Sequence, residues 1–170
     1  GKEDFSEEAY FDVIRKKTAA LFKASSQSGA VSVGAVQEEV MKAGLLGEMI
    51  GIAFQIKDDI FDYFESPELG KPTGNDMLEG KLTLPALYVL NQTGDDSLKQ
   101  TALKIRSLEA SKAEIADFVE TVKEKGGIEY ATRMMYEFRD KALALVPASA
   151  DSSLKEALTA YIDYVIERNK

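Results

Sequence analysis

Apolar residues recur along this chain at the three- and four-residue spacing of helices, and the strict alternation of a half-buried strand is scarce. The spacing predicts a first helix over residues 6–27, with Tyr10, Val13, Ile14, Leu21 and Phe22 on one side and an end near Ser28-Gly29. A second, long and nearly all-apolar in its middle, is predicted over residues 36–64. Gly44, Gly47 and Gly51 thin its side chains at helical spacing, which favours close approach of another helix backbone and leaves room for a ligand as the alternative. A loop follows, then a short helix from Leu82 to Gln92 carrying Pro85 in its first turn, where a missing N–H is harmless. Residues 97–108 form the next. Ser111 with Glu114 offers a capping box for a helix whose stripe is Ile115, Phe118, Val119 and Val122 and which Gly126-Gly127 ends. Ile128, Met134, Met135, Phe138, Leu143 and Leu145 line another up to Pro147, and residues 152–168 make the last. The expectation is an all-α, antiparallel helix bundle forming a single domain over residues 1–170, with no internal repeat or low-complexity linker.

Composition narrows the function classes. The 170 residues are 45% hydrophobic and 29% charged, ordinary for a globular domain. No apolar run reaches the length of a membrane span and no signal-peptide pattern opens the chain, so a cytoplasmic location is the default expectation. A formal charge of -8 argues against a nucleic-acid partner. With neither histidine nor cysteine, the commonest general base and the thiol nucleophile are missing.

The exception to the apolar pattern is Phe54-Gln55-Ile56-Lys57-Asp58-Asp59-Ile60-Phe61-Asp62, where three carboxylates fall within five residues. Asp58 and Asp62 are one turn apart on one face, about 40° from each other, while Asp59 points roughly 100° away from Asp58. Two bare carboxylates in that register repel, and a hard divalent cation would turn the repulsion into binding. Magnesium suits the pattern, because it takes one or two carboxylates together with phosphate oxygens and keeps several waters. The spacing alone is equally compatible with a solvated acidic face. The loop after the acids adds Lys71, and Lys81 opens the next element. Lysine is a compact charge suited to phosphate oxygens, so acids and ammonium groups across a short connection describe a diphosphate site.

The segment Phe54–Pro85, with its acids and its GK…G.D…GK.TLP run, resembles the second aspartate-rich motif of the trans-isoprenyl diphosphate synthases, or polyprenyl synthetases. Upstream, Tyr10-Phe11-Asp12-Val13-Ile14-Arg15-Lys16-Lys17-Thr18-Ala19-Ala20-Leu21 resembles the helix bearing that family's lysine-threonine pair. The resemblance implies the C-terminal part of the isoprenoid synthase helical fold, with octaprenyl-diphosphate-synthase-like character. It implies Asp58 as a magnesium ligand, with Asp59 and Asp62 as further or water-mediated ligands, and Lys17, Lys71 and Lys81 on the substrate diphosphate. Thr18 and Gln55 would lie beside the carbon that ionises. The implied reaction is loss of diphosphate from an allylic substrate, attack on the resulting cation by the double bond of isopentenyl diphosphate, and proton loss. A homodimer is implied as well.

The family's first aspartate-rich motif has no counterpart here, since Asp95-Asp96 lacks a third acid at the required spacing. The chain opens on Gly1 without an initiator methionine, and the expectation is a C-terminal half that would not turn over alone. Three other readings compete with it: a non-catalytic partner subunit of a two-component synthase, a related helical terpene cyclase, and an acidic helical interaction module without a site. The intact acids and loop lysines oppose the first, and the GK…GK.TLP run opposes the second.

Overall fold

The computed structural model describes residues 5–65 and 73–167, and among these there is no strand. The first predicted helix is a continuous helical run in three parts: α1 (Glu7–Ile14), a π turn (Arg15–Ala19) and α2 (Ala20–Ser32). Its buried positions step from Tyr10 to Ile14 and then to Ala19. The last step is five residues instead of four, which is the one-residue slip that a π turn introduces. That slip explains a correction: Leu21, expected on the apolar side, is 70% exposed. Val13, from the same expected stripe, is also exposed. The run continues through Gly29 to Ser32 rather than stopping near Gly29.

The long second helix, α3, spans Gln37–Phe61. Then come a single turn α4 (Asn75–Leu78), which the periodicity did not predict, α5 (Leu84–Thr93), α6 (Asp96–Arg106), α7 (Lys112–Glu124), α8 (Gly127–Ala144) and α9 (Ser152–Glu167). Asp95 caps α6 by accepting from the N–H groups of Ser97 and Leu98. Ser111 and Glu114 form the expected capping box of α7, and Pro85 sits in the first turn of α5. Gly126, at φ 83°, separates α7 from α8, while Gly127 already belongs to α8. None of the helices is long and apolar enough to cross a membrane, among the described residues.

The helices gather into two compact units, one joining Gly1–Tyr10 to Asp58–Thr132 and the other joining Phe11–Lys57 to Arg133–Lys170. In the first, α7 buries Ile115, Phe118, Val119 and Val122 and packs against α4, α5 and α6. The N-terminal segment is tied in by polar clips. Asn91 Nδ2 donates to the Phe5 carbonyl at 2.9 Å, and the Tyr130 hydroxyl donates to Glu7 at 2.7 Å.

In the second unit, α2 lies hard against α3 because glycines face it. A Cβ on Gly51 would come within 2.7 Å of Ala19 Cα, and one on Gly47 within 2.5 Å of the Phe22 carbonyl oxygen. Any side chain there would have to push one backbone off the other. Phe22 and Phe54 close the same contact with ring centroids 5.3 Å apart.

Candidate functional site

In the first unit the C-terminal end of α3 presents its acids in two directions. Asp58 and Asp62 are half-buried on one side, while Asp59 turns inward and is 6% exposed. The Tyr10 hydroxyl, also buried, donates to Asp59 Oδ2. Burial first, and then the Asp59 charge, push the Tyr10 phenol well above its ordinary pKa, so it remains a donor.

Asp62 is gripped by the returning loop. The Asp76 N–H donates to Asp62 Oδ2 at 3.0 Å, and the Gly74 N–H donates to the Asp62 carbonyl at 2.8 Å. Gly74 makes this return possible: its φ is 76°, and a Cβ there would meet Ile115 Cγ2 at 2.7 Å. Despite the N–H groups from Asp76 and Asn75, Asp62 has a pKa raised from 3.8 to about 6, by burial and then by the neighbouring Asp76 carboxylate. The residue just past α3 is therefore a carboxylate whose charge is opposed by burial and by Asp76.

Of the lysines expected on the diphosphate, Lys71 lies outside the described residues. Lys81 is exposed and its Nζ contacts Glu79 Oε2 at 2.9 Å, which raises the Lys81 pKa through that hydrogen bond and charge. An exposed pair of this kind is worth about 0–1 kcal/mol, so Lys81 can exchange Glu79 for another anion at small cost.

In the second unit Thr18 and Gln55 meet, a contact the sequence reading did not specify. Thr18 Oγ1 donates to Gln55 Oε1 at 2.8 Å, with both side chains half-buried. Lys17, beside Thr18 in the π turn, is exposed. Single π turns of this sort recur at functional sites, and this one falls on the lysine-threonine pair.

The fit of a magnesium ion rests on the donor set. Among the described residues no group of three or more acids stands close enough to hold a metal by itself. Magnesium, however, is ordinarily held by one or two carboxylates with the remaining positions filled by phosphate oxygens and water. Asp58 and Asp62 supply two hard oxygen donors one helical turn apart, and the opposed charge on Asp62 favours a cation beside it. The donor set fits.

Three residues here escaped sequence reasoning: Tyr10 on Asp59, Asp76 on Asp62 and Glu79 on Lys81. A signal existed for the first, since a tyrosine on an apolar helix face needs a partner for its hydroxyl.

Comparison with known proteins gives a consistent family. The family model described as polyprenyl synthetase matches residues 1–122. A short chain isoprenyl diphosphate synthase of Methanothermobacter thermautotrophicus is 33% identical over 166 residues, 97% of this chain and 50% of that protein. Heptaprenyl diphosphate synthase component 2 of Geobacillus stearothermophilus is 37% identical over 157 residues, 90% of this chain and 48% of that one. The crystal structure of a geranylgeranyl pyrophosphate synthase from Bacteroides thetaiotaomicron superposes with a TM-score of 0.92 at 57% identity, covering 98% of this chain and 55% of the other. The chain thus spans about half the length of the curated relatives it matches.

Proposed function

The chain belongs to the polyprenyl synthetase family and has its all-α isoprenoid synthase fold, and from that premise we propose that it carries the diphosphate-gripping part of a trans-prenyltransferase. The substrates are an allylic diphosphate and isopentenyl diphosphate, and the product is a longer prenyl diphosphate. One observation carries the reading: Asp62, one turn from Asp58, is held by the Asp76 N–H at 3.0 Å while burial and the Asp76 carboxylate raise its pKa to about 6, an arrangement that a divalent cation beside the two acids would relieve.

In this reading Asp58 and Asp62 hold magnesium, with Asp59 as their buried companion. Magnesium, when bound, supplies positive charge that meets the leaving diphosphate. Lys81 and Lys71 bind diphosphate oxygens from the loop, Lys81 leaving Glu79 to do so. Lys17 offers an ammonium group for the same purpose. Thr18 and Gln55 present paired oxygen dipoles of the kind that stabilise an allylic cation, the role the resemblance gives them. No histidine or thiol is needed, because the barrier falls by meeting charge where it develops.

For product length two lengths are carried into the test: the expected octaprenyl chain, supported by 30% identity to an octaprenyl diphosphate synthase, and a shorter one, supported by 57% identity to a geranylgeranyl pyrophosphate synthase. Self-association into a homodimer and a cytoplasmic location belong to the same proposal. A second reading, the subunit of a two-component enzyme, is favoured by the 37% identity to a protein named as a component of heptaprenyl diphosphate synthase.

Incubation with labelled isopentenyl diphosphate, an allylic diphosphate and magnesium separates these. Elongation by the polypeptide that carries this chain, lost in Asp58→Ala, supports the leading reading, and mass spectrometry of the product gives its length. Elongation that starts only when a second polypeptide is added supports the subunit reading. Elongation undiminished by Asp58→Ala and Lys71→Ala removes the site assignment.

A further inference from the structure

Asp59 is the least economical residue on α3. Its neighbours Ile56, Ile60 and Tyr63 are buried, and an apolar side chain at 59 would continue their core, whereas a carboxylate at 6% exposure must give up its water. The hydroxyl that meets it comes from Tyr10, 49 residues earlier in the chain. A phenylalanine at position 10 would fill the same volume without reaching the carboxylate. The molecule therefore keeps both an acid and its donor in a place where hydrocarbon would pack at lower cost, next to two acids that are only half-buried.

We propose that Tyr10 is a positioning residue for the acid site: its hydroxyl holds the Asp59 carboxylate turned inward, so that Asp59 serves as a fixed buried charge beside Asp58 and Asp62 rather than as a ligand. The proposal rests on the diphosphate reading given above and deepens it. A negative charge fixed in a medium of low dielectric acts on its neighbours far more strongly than a solvated one. It raises the affinity of the two half-buried acids for a cation without entering the cation's shell, as partners behind metal ligands do. The Tyr10 hydrogen bond fixes where that charge sits.

The test is calorimetric titration of inorganic diphosphate in magnesium into the polypeptide that carries this chain, unmodified and as Tyr10→Phe, Asp59→Asn and the double variant, with urea denaturation to compare their folding. Tyr10→Phe is expected to weaken magnesium-dependent diphosphate affinity about tenfold. In the Asp59→Asn background the same substitution is expected to change affinity less than about twofold, because the charge it positions is gone. A purely structural tyrosine would lower the urea midpoint and leave the affinity of the folded protein alone. Asp59→Asn keeps an oxygen for Tyr10 to donate to, so it folds even if Tyr10→Phe does not, and it is expected to weaken affinity about tenfold by itself. Unchanged affinity in Tyr10→Phe or in Asp59→Asn overturns the proposal, as do independent, multiplying effects in the double variant. No magnesium-dependent binding by the unmodified chain overturns the diphosphate reading and this proposal with it, an outcome distinct from binding that the variants leave intact.

Discussion

The two ends of α3 are built on opposite principles. From Gly44 to Gln55 the helix gives up side chains so that α2 can approach, and the gain is contact: Gly51 almost touches Ala19, Phe22 meets Phe54, and Thr18 bonds to Gln55. From Asp58 to Asp62 the chain places three acids within five residues, and burial and the Asp76 carboxylate raise the Asp62 pKa. The packed end is held by apolar contact, whereas the charged end is held by polar contacts from Tyr10 and the Asp76 N–H while the Asp62 pKa stays raised.

The comparison can be broken from either side. Asp58→Ala is expected to have the largest effect, lowering prenyl transfer by about 10²–10³-fold in a steady-state assay while barely moving the urea midpoint. Gly51→Ala is expected to do the reverse first. Its Cβ has only Ala19 backbone to meet, so unfolding free energy should fall by about 1–3 kcal/mol, and circular dichroism through a urea titration reads it. An unshifted midpoint would mean that α2 and α3 can separate freely.

Asp62→Asn should stabilise the metal-free protein. The Asp62 pKa is raised from 3.8 to about 6, so the folded state binds that proton more tightly than the unfolded chain does. Its contribution is favourable below about pH 4 and is lost as pH rises through about 6. Near pH 7 the asparagine variant should therefore be more stable by about 1 kcal/mol, a figure already reduced for solvent screening, with the gain vanishing towards pH 4. A variant less stable than its parent at pH 7 would show that the carboxylate is content where it lies. The smallest effect belongs to Glu79→Gln, which releases Lys81 and should tighten diphosphate binding by no more than about fivefold, the range of an exposed ion pair.

Local features of the fold were legible in the sequence because local physics decides them. The Ser111–Glu114 capping box, Pro85 in the first turn of α5 and the α7 stripe are each fixed by residues within a few positions. The glycines of α3 were legible too, since helical spacing puts them on one face. The π turn was not, because one slipped residue leaves no mark in an apolar pattern, and it moved Leu21 from the expected core to the surface. Of the candidate site residues, Asp58, Asp59, Asp62, Thr18 and Gln55 follow from motif and resemblance. Their partners do not, because Tyr10 reaches Asp59 across 49 residues and Asp76 reaches Asp62 across 14. Which side chain returns to which carboxylate is settled by how the loop and helices pack, and no short-range periodicity encodes it.

The most direct measurement is a calorimetric titration of inorganic diphosphate into the protein with and without magnesium, repeated on Asp58→Ala/Asp62→Asn. Binding that requires magnesium in the unmodified chain and disappears in the double variant is the predicted result. Equal binding by the two proteins, or binding indifferent to magnesium, would contradict the account.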